Sequence, residues 1–219
     1  MKTLIVGGSS GLGLELAKQL KNKYEVFITG RKDPKVEGVN FLPFDIKSED
    51  SLRHNIEEIF NHVSIINLFI YAAGFYQEGS ITDLSVEDIL IMNTVGLIAP
   101  QLLLRRILQK QNSLDGFIAI TSTSQWTPRL KEPIYNAVKS GFGMLANSVS
   151  LDERIKKTMV AAPAGMKTNF WANTKMDTTE MLDPTWVAGQ ILDLWDGDYR
   201  YKYARILRQP PRVEVVEER

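Results

Sequence analysis

The chain has 219 residues, 44% of them apolar, with 26 Lys and Arg balanced by 26 Asp and Glu and no cysteine. That length suits one well-buried core and is too short for two comfortable domains, the balanced charge gives no field drawing the protein to nucleic acid or anionic lipid, and the missing thiols exclude disulfides, thiolate metal sites and cysteine nucleophiles. A small-molecule partner and a cytoplasmic setting are therefore expected, with no nucleic acid and no membrane: Leu4-Ile5-Val6 passes straight into glycines, and no uncharged apolar run nears the roughly 18 residues of a bilayer span.

From the N-terminus onward, short apolar runs alternate with longer amphipathic stretches, the pattern of strand-helix repeats building a parallel sheet covered on both faces. The sequence predicts strands at 3–6, 25–29, 40–44, 65–73, 116–121, 158–162 and 203–207, and helices at 11–22, 48–62, 86–109, 133–151 and 184–193. Ser48, with Ser51 behind it, and Ser85, with Asp88 three residues on, are capping residues for two of those helices. The fold class is α/β, a single domain over 1–219 with a doubly wound, mostly parallel sheet of about seven strands. Residues 209–219 read as a turn followed by a short charged strand or arm, with a solvated tail as the alternative.

Between the first strand and the first helix lies Gly7-Gly8-Ser9-Ser10-Gly11-Leu12-Gly13. Chance order at this composition gives about 0.07 matches to Gly-x3-Gly-x-Gly anywhere in the chain, and this one falls where its mechanism requires. Gly7 turns the chain out of the strand, Gly11 opens the helix without a side chain blocking phosphates, and Gly13 lets helix and sheet pack closely. The helix N-terminus then offers free N–H groups to a dinucleotide pyrophosphate, with Ser9, Ser10 and Leu12 in the same turn. About twenty residues further on, a chain preferring NAD places an acid for the ribose 2′-hydroxyl. This chain has Thr29-Gly30-Arg31-Lys32, so Arg31 beside a 2′-phosphate makes NADP the expected cofactor; Asp33 comes two residues late by spacing.

Further along, Ser122 closes the fifth predicted strand and Tyr135-Asn136-Ala137-Val138-Lys139 opens the helix after it. Positions four apart share a helix face, and an ammonium beside a phenol favours the phenolate, which makes Tyr135 a usable acid or base. A Tyr-x3-Lys pair alone is poor evidence, since chance supplies about 0.5 per chain of this composition. Ser124 is the second candidate for the hydroxyl role. His54 and His62 stand eight apart on an otherwise acidic helix with no ligand cluster, so a surface reading is preferred to metal or catalysis. Phe75-Tyr76, Trp126, Met166, Phe170-Trp171, Met176 and Met181 fall in segments expected to overhang the site and favour an apolar or aromatic substrate, although core packing explains the same residues. The stretch 167–183 has little apolar period and reads as a mobile lid.

Taken in order, Gly7-x3-Gly11-x-Gly13, Asp45-Ile46, Ala73-Gly74, Asn93, Ser122, Tyr135-x3-Lys139 and Pro163 with Thr168 resemble the short-chain dehydrogenase/reductase (SDR) family over nearly the whole chain. The resemblance implies a Rossmann sheet of seven strands, NAD(P) bound across it, and interconversion of an alcohol and a carbonyl. It also implies that Asp45 and Ile46 meet the adenine, Ala73 and Gly74 the ribose, and Pro163, Met166 and Thr168 the nicotinamide carboxamide. Lys139 would also bind the nicotinamide ribose, Ser122 would hold the reacting oxygen, and Asn93 would fix a water linking Lys139 to solvent. Homodimers or homotetramers through the apolar faces of 86–109 and 133–151 are a further implication. The chain departs from the family at Val6, at Tyr71-Ala72 in place of two asparagines that brace the sheet, and at Ala164 in place of glycine. A non-catalytic dinucleotide sensor on the same fold is the alternative to an NADP-preferring oxidoreductase.

Overall fold

The strands form because their apolar residues are consecutive, which only a sheet covered on both faces can bury. Leu4, Ile5 and Val6, and likewise Leu68, Phe69, Ile70 and Tyr71, are fully buried. The computed structural model describes residues 1–46, 49–172 and 174–219. In chain order the elements are β1 (Lys2–Val6), α1 (Gly11–Leu20), β2 (Glu25–Gly30), β3 (Val39–Pro43), α2 (Glu49–His62), β4 (Leu68–Tyr71), α3 (Val86–Asn93), α4 (Ala99–Gln111), β5 (Gly116–Ile120), α5 (Pro133–Val149), β6 (Thr158–Pro163), α6 (Pro184–Trp195), β7 (Tyr201–Arg208) and β8 (Pro211–Glu218). Ser48, expected to cap α2, lies outside the described residues. Ser85 does cap α3 through a full capping box with Asp88.

One sheet runs β3-β2-β1-β4-β5-β6-β7-β8, parallel from β3 to β7. The order reverses between β1 and β4, and the crevice above that reversal is where a doubly wound sheet receives a ligand. Helices α1 and α6 cover one face, burying Leu12, Leu16, Ala17, Val187 and Ile191, while α2, α4 and α5 cover the other with Leu52, Ile56, Leu103, Ile107 and Phe142.

One end of the chain resolves an alternative and one helix differs from expectation. The segment after Gln209 is the charged strand rather than the solvated tail, antiparallel to β7, which brings the sheet from about seven strands to eight. Its side chains alternate between charges such as Arg212, Glu214 and Glu217 and partly exposed valines, and a charged edge strand resists adding a further one. The predicted helix 86–109 continues to Gln111 but widens into a π-helical turn at Thr94–Ile98. Pro100 lies just beyond and has no N–H for the Gly96 carbonyl, which loosens the ladder there. Across that turn the helix spans 26 residues and is long and apolar enough, by length and composition, to cross a bilayer. That corrects the expectation from the sequence, where no such run was recognised. Met92, Val95, Ala99, Leu103 and Ile107 are buried along it, as in a helix packed on a core.

Candidate active site

The glycine turn is built from backbone held against backbone. Gly7 has φ +82°, and a Cβ there would stand 2.5 Å from the Ala73 nitrogen; a Cβ on Gly13 would stand 2.3 Å from the Gly7 carbonyl oxygen. No side chain fits at either position, so β1, α1 and the end of β4 come as close as main chains allow. Gly11, also at positive φ, faces Thr168, whose Cγ2 would lie 3.4 Å from an added Cβ. Thr168 therefore stands across the turn from the glycines. Ser10 precedes α1 in extended conformation, makes no side-chain cap bond and leaves the first-turn N–H groups open.

These residues border a cleft of about 1040 Å3 that runs along the carboxyl ends of the strands. Every residue expected to hold the cofactor lines it: Ser9, Ser10, Leu12 and the three glycines at the turn, Arg31 after β2, Asp45 and Ile46 after β3, Ala73 and Gly74 after β4, and Pro163, Met166 and Thr168 after β6. Such a cradle, lacking side chains where a pyrophosphate must approach and ending at an open helix N-terminus, fits a dinucleotide. Arg31 is exposed and lines the cleft, whereas Asp33, the acid that came two residues late, is drawn to Lys35. Its carboxylate accepts from the Lys35 N–H at 2.8 Å and pairs with the Lys35 ammonium at 2.9 Å, which holds its pKa below the usual range.

At the other end of the cleft Tyr135 and Lys139 share one face of α5, as their spacing requires. Tyr135 is 8% exposed and Lys139 4%. Burial is the main force on the Tyr135 phenol and pushes its pKa up; the Glu132 charge adds to this, while a hydrogen bond with Ser122 works against it. The lowering expected from Lys139 is absent in the protein alone. Its ammonium donates to the Ile120 carbonyl at 3.2 Å and lies 5.6 Å from the Tyr135 ring centroid. Burial alone pushes Lys139 down to about 8.

Ser122 sits just past β5 and is the hydroxyl that meets Tyr135. Ser124 is buried and donates to Glu132 at 2.8 Å, so it does not take the role held open for it. Asn93 lies apart from the others: at the end of α3 its side-chain amide donates to the Ile89 carbonyl at 2.8 Å, and it does not line the cleft.

Glu132 and Arg129 escaped the sequence reading, and Tyr71, named there only as a departure, has a role that was not foreseen. Tyr71, where the family has an amide, is fully buried and its hydroxyl donates to the Val95 carbonyl inside the π-helical turn. A phenol thus reaches from β4 to the long helix and braces the sheet in another way. Glu132 and Arg129 form an ion pair at 3.1 Å beside Ser124. The visible signal was an acid one helical turn before Tyr135, directly ahead of Pro133.

Over Tyr135 lie aromatic rings: Tyr76 edge-on at 5.2 Å between centroids, Phe170 at 6.2 Å, and Trp171 against Tyr76 at 5.4 Å. The stretch expected as a lid is tied at its base, Leu182 donating to Gly165 at 3.0 Å and Lys167 to Leu182 at 2.9 Å. Trp171 is fastened through its indole N–H to the Met166 carbonyl at 3.0 Å. Asn173 in this stretch lies outside the described residues.

A doubly wound sheet with a glycine cradle at its switch point and a buried phenol, hydroxyl and ammonium beside it defines a nucleotide-cofactor-dependent oxidoreductase. The chain belongs to the short chain dehydrogenase family, whose family model matches residues 2–179. Among curated proteins it is similar to the 3-oxoacyl-[acyl-carrier-protein] reductase of Mus musculus, 23% identical over 202 residues that cover 87% of this chain and 86% of the relative. Among solved structures it resembles a short-chain dehydrogenase from Sphingobium yanoikuyae in complex with NADPH, with TM-score 0.81, 20% identity and coverage of 93% and 87% of the two chains. A short-chain dehydrogenase/reductase from Vibrio parahaemolyticus superposes with TM-score 0.78 at 23% identity, covering 95% of this chain and 99% of the other. The protein is an NAD(P)-dependent oxidoreductase of this family.

Proposed function

We propose that the chain is an NADP-preferring reductase that interconverts the carbonyl and alcohol of a small apolar or aromatic molecule, with Tyr135 as general acid and base. The observation that carries this reading is the buried Tyr135 phenol, with Ser122 beside it and Lys139 one turn on, in the same cleft as the glycine cradle. When bound, the nicotinamide supplies or accepts the hydride. In the reducing direction Tyr135 gives its proton to the substrate oxygen as negative charge develops there, and the Ser122 hydroxyl holds that oxygen. Lys139 fixes the ribose beside them, and Tyr76, Phe170 and Trp171 exclude water from the reacting atoms and present ring faces to the substrate.

Preference for NADP is supported by Arg31, which lines the cleft, and by the pairing of Asp33 with Lys35 away from it. The similar Sphingobium protein was solved with NADPH. Exposed Val86, Leu90, Ile98 and Met144 on α3, the π turn and α5 are the surface that a second copy would cover; light scattering at the monomer mass would defeat that part. The sensor reading draws on Asn93, whose amide is turned onto its own helix. A panel of aromatic and aliphatic ketones and aldehydes, offered with NADPH and with NADH, separates the readings. Oxidation of NADPH by an aromatic member is expected; NADPH bound with no carbonyl consumed would favour the sensor.

A further inference from the structure

Around Tyr135 stands a hydrogen-bonded group that the proposed chemistry does not use. Glu132, one turn before Tyr135, is 8% exposed. Its Oε2 accepts from the Ser124 hydroxyl at 2.8 Å and from Arg129 Nη1 at 3.1 Å. Arg129 Nη1 also donates to Ser124 Oγ at 2.7 Å, and its Nη2 to Thr123 Oγ1 at 3.1 Å. Burial, and next the Glu132 charge, push the pKa of the neighbouring Tyr76 phenol up. Ser124 is joined in turn to Ser122, its N–H donating to Ser122 Oγ at 3.1 Å and the Ser122 hydroxyl donating back to Ser124 Oγ at 3.3 Å. A continuous chain of bonds therefore links Ser122, Ser124, Glu132 and Arg129, with the Tyr135 phenol beside Ser122 at its end.

A carboxylate set among aromatic rings is costly unless it is bonded, and a site that needed only to fill space would hold an apolar residue there. The charged and titratable groups facing Glu132 are Arg129 from the preceding loop, Tyr76 from the segment after β4, and Tyr135 from α5. Further off are Glu78, paired with Lys131 at 3.5 Å, and Lys139, whose ammonium is held by Ile120. Arg129 is partly exposed, so its charge is shared with solvent, whereas the carboxylate faces the phenols.

We propose that Glu132, acting through Ser124, is a positioning residue that fixes the Ser122 hydroxyl against Tyr135 and keeps the proton on Tyr135, setting the site to deliver a proton to a substrate oxygen. The proposal rests on the assignment of Tyr135 as the acid. A carboxylate in a water-poor pocket disfavours a second negative charge on the neighbouring phenol, and removal of that charge must let the phenol ionise more readily. The same charge orders the serine hydroxyls: Ser124 points its proton at Glu132 while its backbone N–H holds Ser122 Oγ in place, and the Ser122 proton, resting on Ser124 Oγ at a long 3.3 Å, turns to the substrate oxygen when one arrives.

The test uses Glu132→Gln, which keeps the shape and removes the charge, and Ser124→Ala, which keeps the charge and cuts the link. Tyrosine 13Cζ NMR of the NADP+ complex follows each phenol with pH, the Tyr135 signal being the one lost in Tyr135→Phe. Glu132→Gln is expected to lower the Tyr135 midpoint by about one unit, a tenfold change in proton affinity. Ser124→Ala should leave that midpoint in place while lowering kcat for carbonyl reduction about tenfold, through a displaced Ser122, with NADPH affinity unchanged. An unshifted midpoint in Glu132→Gln would overturn the proposal; so would a wild-type kcat in Ser124→Ala, which also decides the matter should the glutamine variant fail to fold. If Tyr135→Phe itself turns over normally, the functional assignment falls; if it is inactive while both other variants behave as wild type, only this inference does.

Discussion

The two ends of the cleft are closed by different means. At the glycine turn, main chain touches main chain: the Gly7 and Gly13 contacts leave no room for even a methyl group. At the Tyr135 end, closure is by side chains drawn from three separate segments, with Tyr76, Glu132, Tyr135 and Phe170 as neighbours. The first design fixes a ligand common to a whole family, because backbone geometry cannot vary without breaking the fold. The second can be exchanged residue by residue, and it is where a particular substrate is selected.

That contrast predicts a steep gradient in tolerance. Gly7→Ala should be the most damaging change, adding a positive-φ penalty to a backbone clash and costing on the order of 3 kcal/mol. Thermal unfolding together with NADPH titration by tryptophan fluorescence would show it, whereas Phe170→Leu at the other end should leave stability and NADPH affinity nearly unchanged. Equal losses at the two ends would break the comparison.

Lys139 sharpens it from the other side. Its pKa is depressed to about 8 in the folded protein against 10.5 unfolded, so between those values the unfolded chain binds more protons and stability rises with pH. Lys139→Met should therefore abolish that rise and stabilise the cofactor-free protein by about 2 kcal/mol at pH 7, while impairing turnover. Denaturant melts at pH 7 and pH 10 decide it; a loss of stability at pH 7 would contradict the account.

Tyr71→Phe leaves the Val95 carbonyl without its phenol, and a loss of about 1–2 kcal/mol is expected in the same melts. Smallest is Arg31→Ala, for which NADPH affinity should fall about fivefold, near 1 kcal/mol, with NADH affinity unaltered. Equal weakening of both cofactors would reject the 2′-phosphate role.

The difference between the ends also explains what could be read from the sequence. Glycines at fixed spacing after an apolar strand carry their geometry locally, so the cradle and its placement on the sheet were legible, as was the helix face shared by Tyr135 and Lys139. The eighth strand was only one of two readings, because an exposed edge strand with alternating Arg and Glu has the composition of a solvated tail until its partner β7 is known. Pro100 marks where the long helix can loosen, but the phenol that reaches the π turn, Tyr71 on Val95, is a long-range contact that no local pattern encodes. Glu132 looked like an ordinary residue ahead of a helical proline; only the approach of Ser124 and Tyr76, brought there by β4 and β5, makes it part of the site.

The central claim is that the Tyr135 phenol delivers the proton in a cleft otherwise organised to hold NADPH. Its most direct test is NADPH binding and carbonyl reduction by Tyr135→Phe beside the wild type. The account predicts NADPH affinity within about twofold of wild type, since the cradle is untouched, and kcat lower by about 10²–10⁴-fold. Reduction at an undiminished rate in that variant would contradict it.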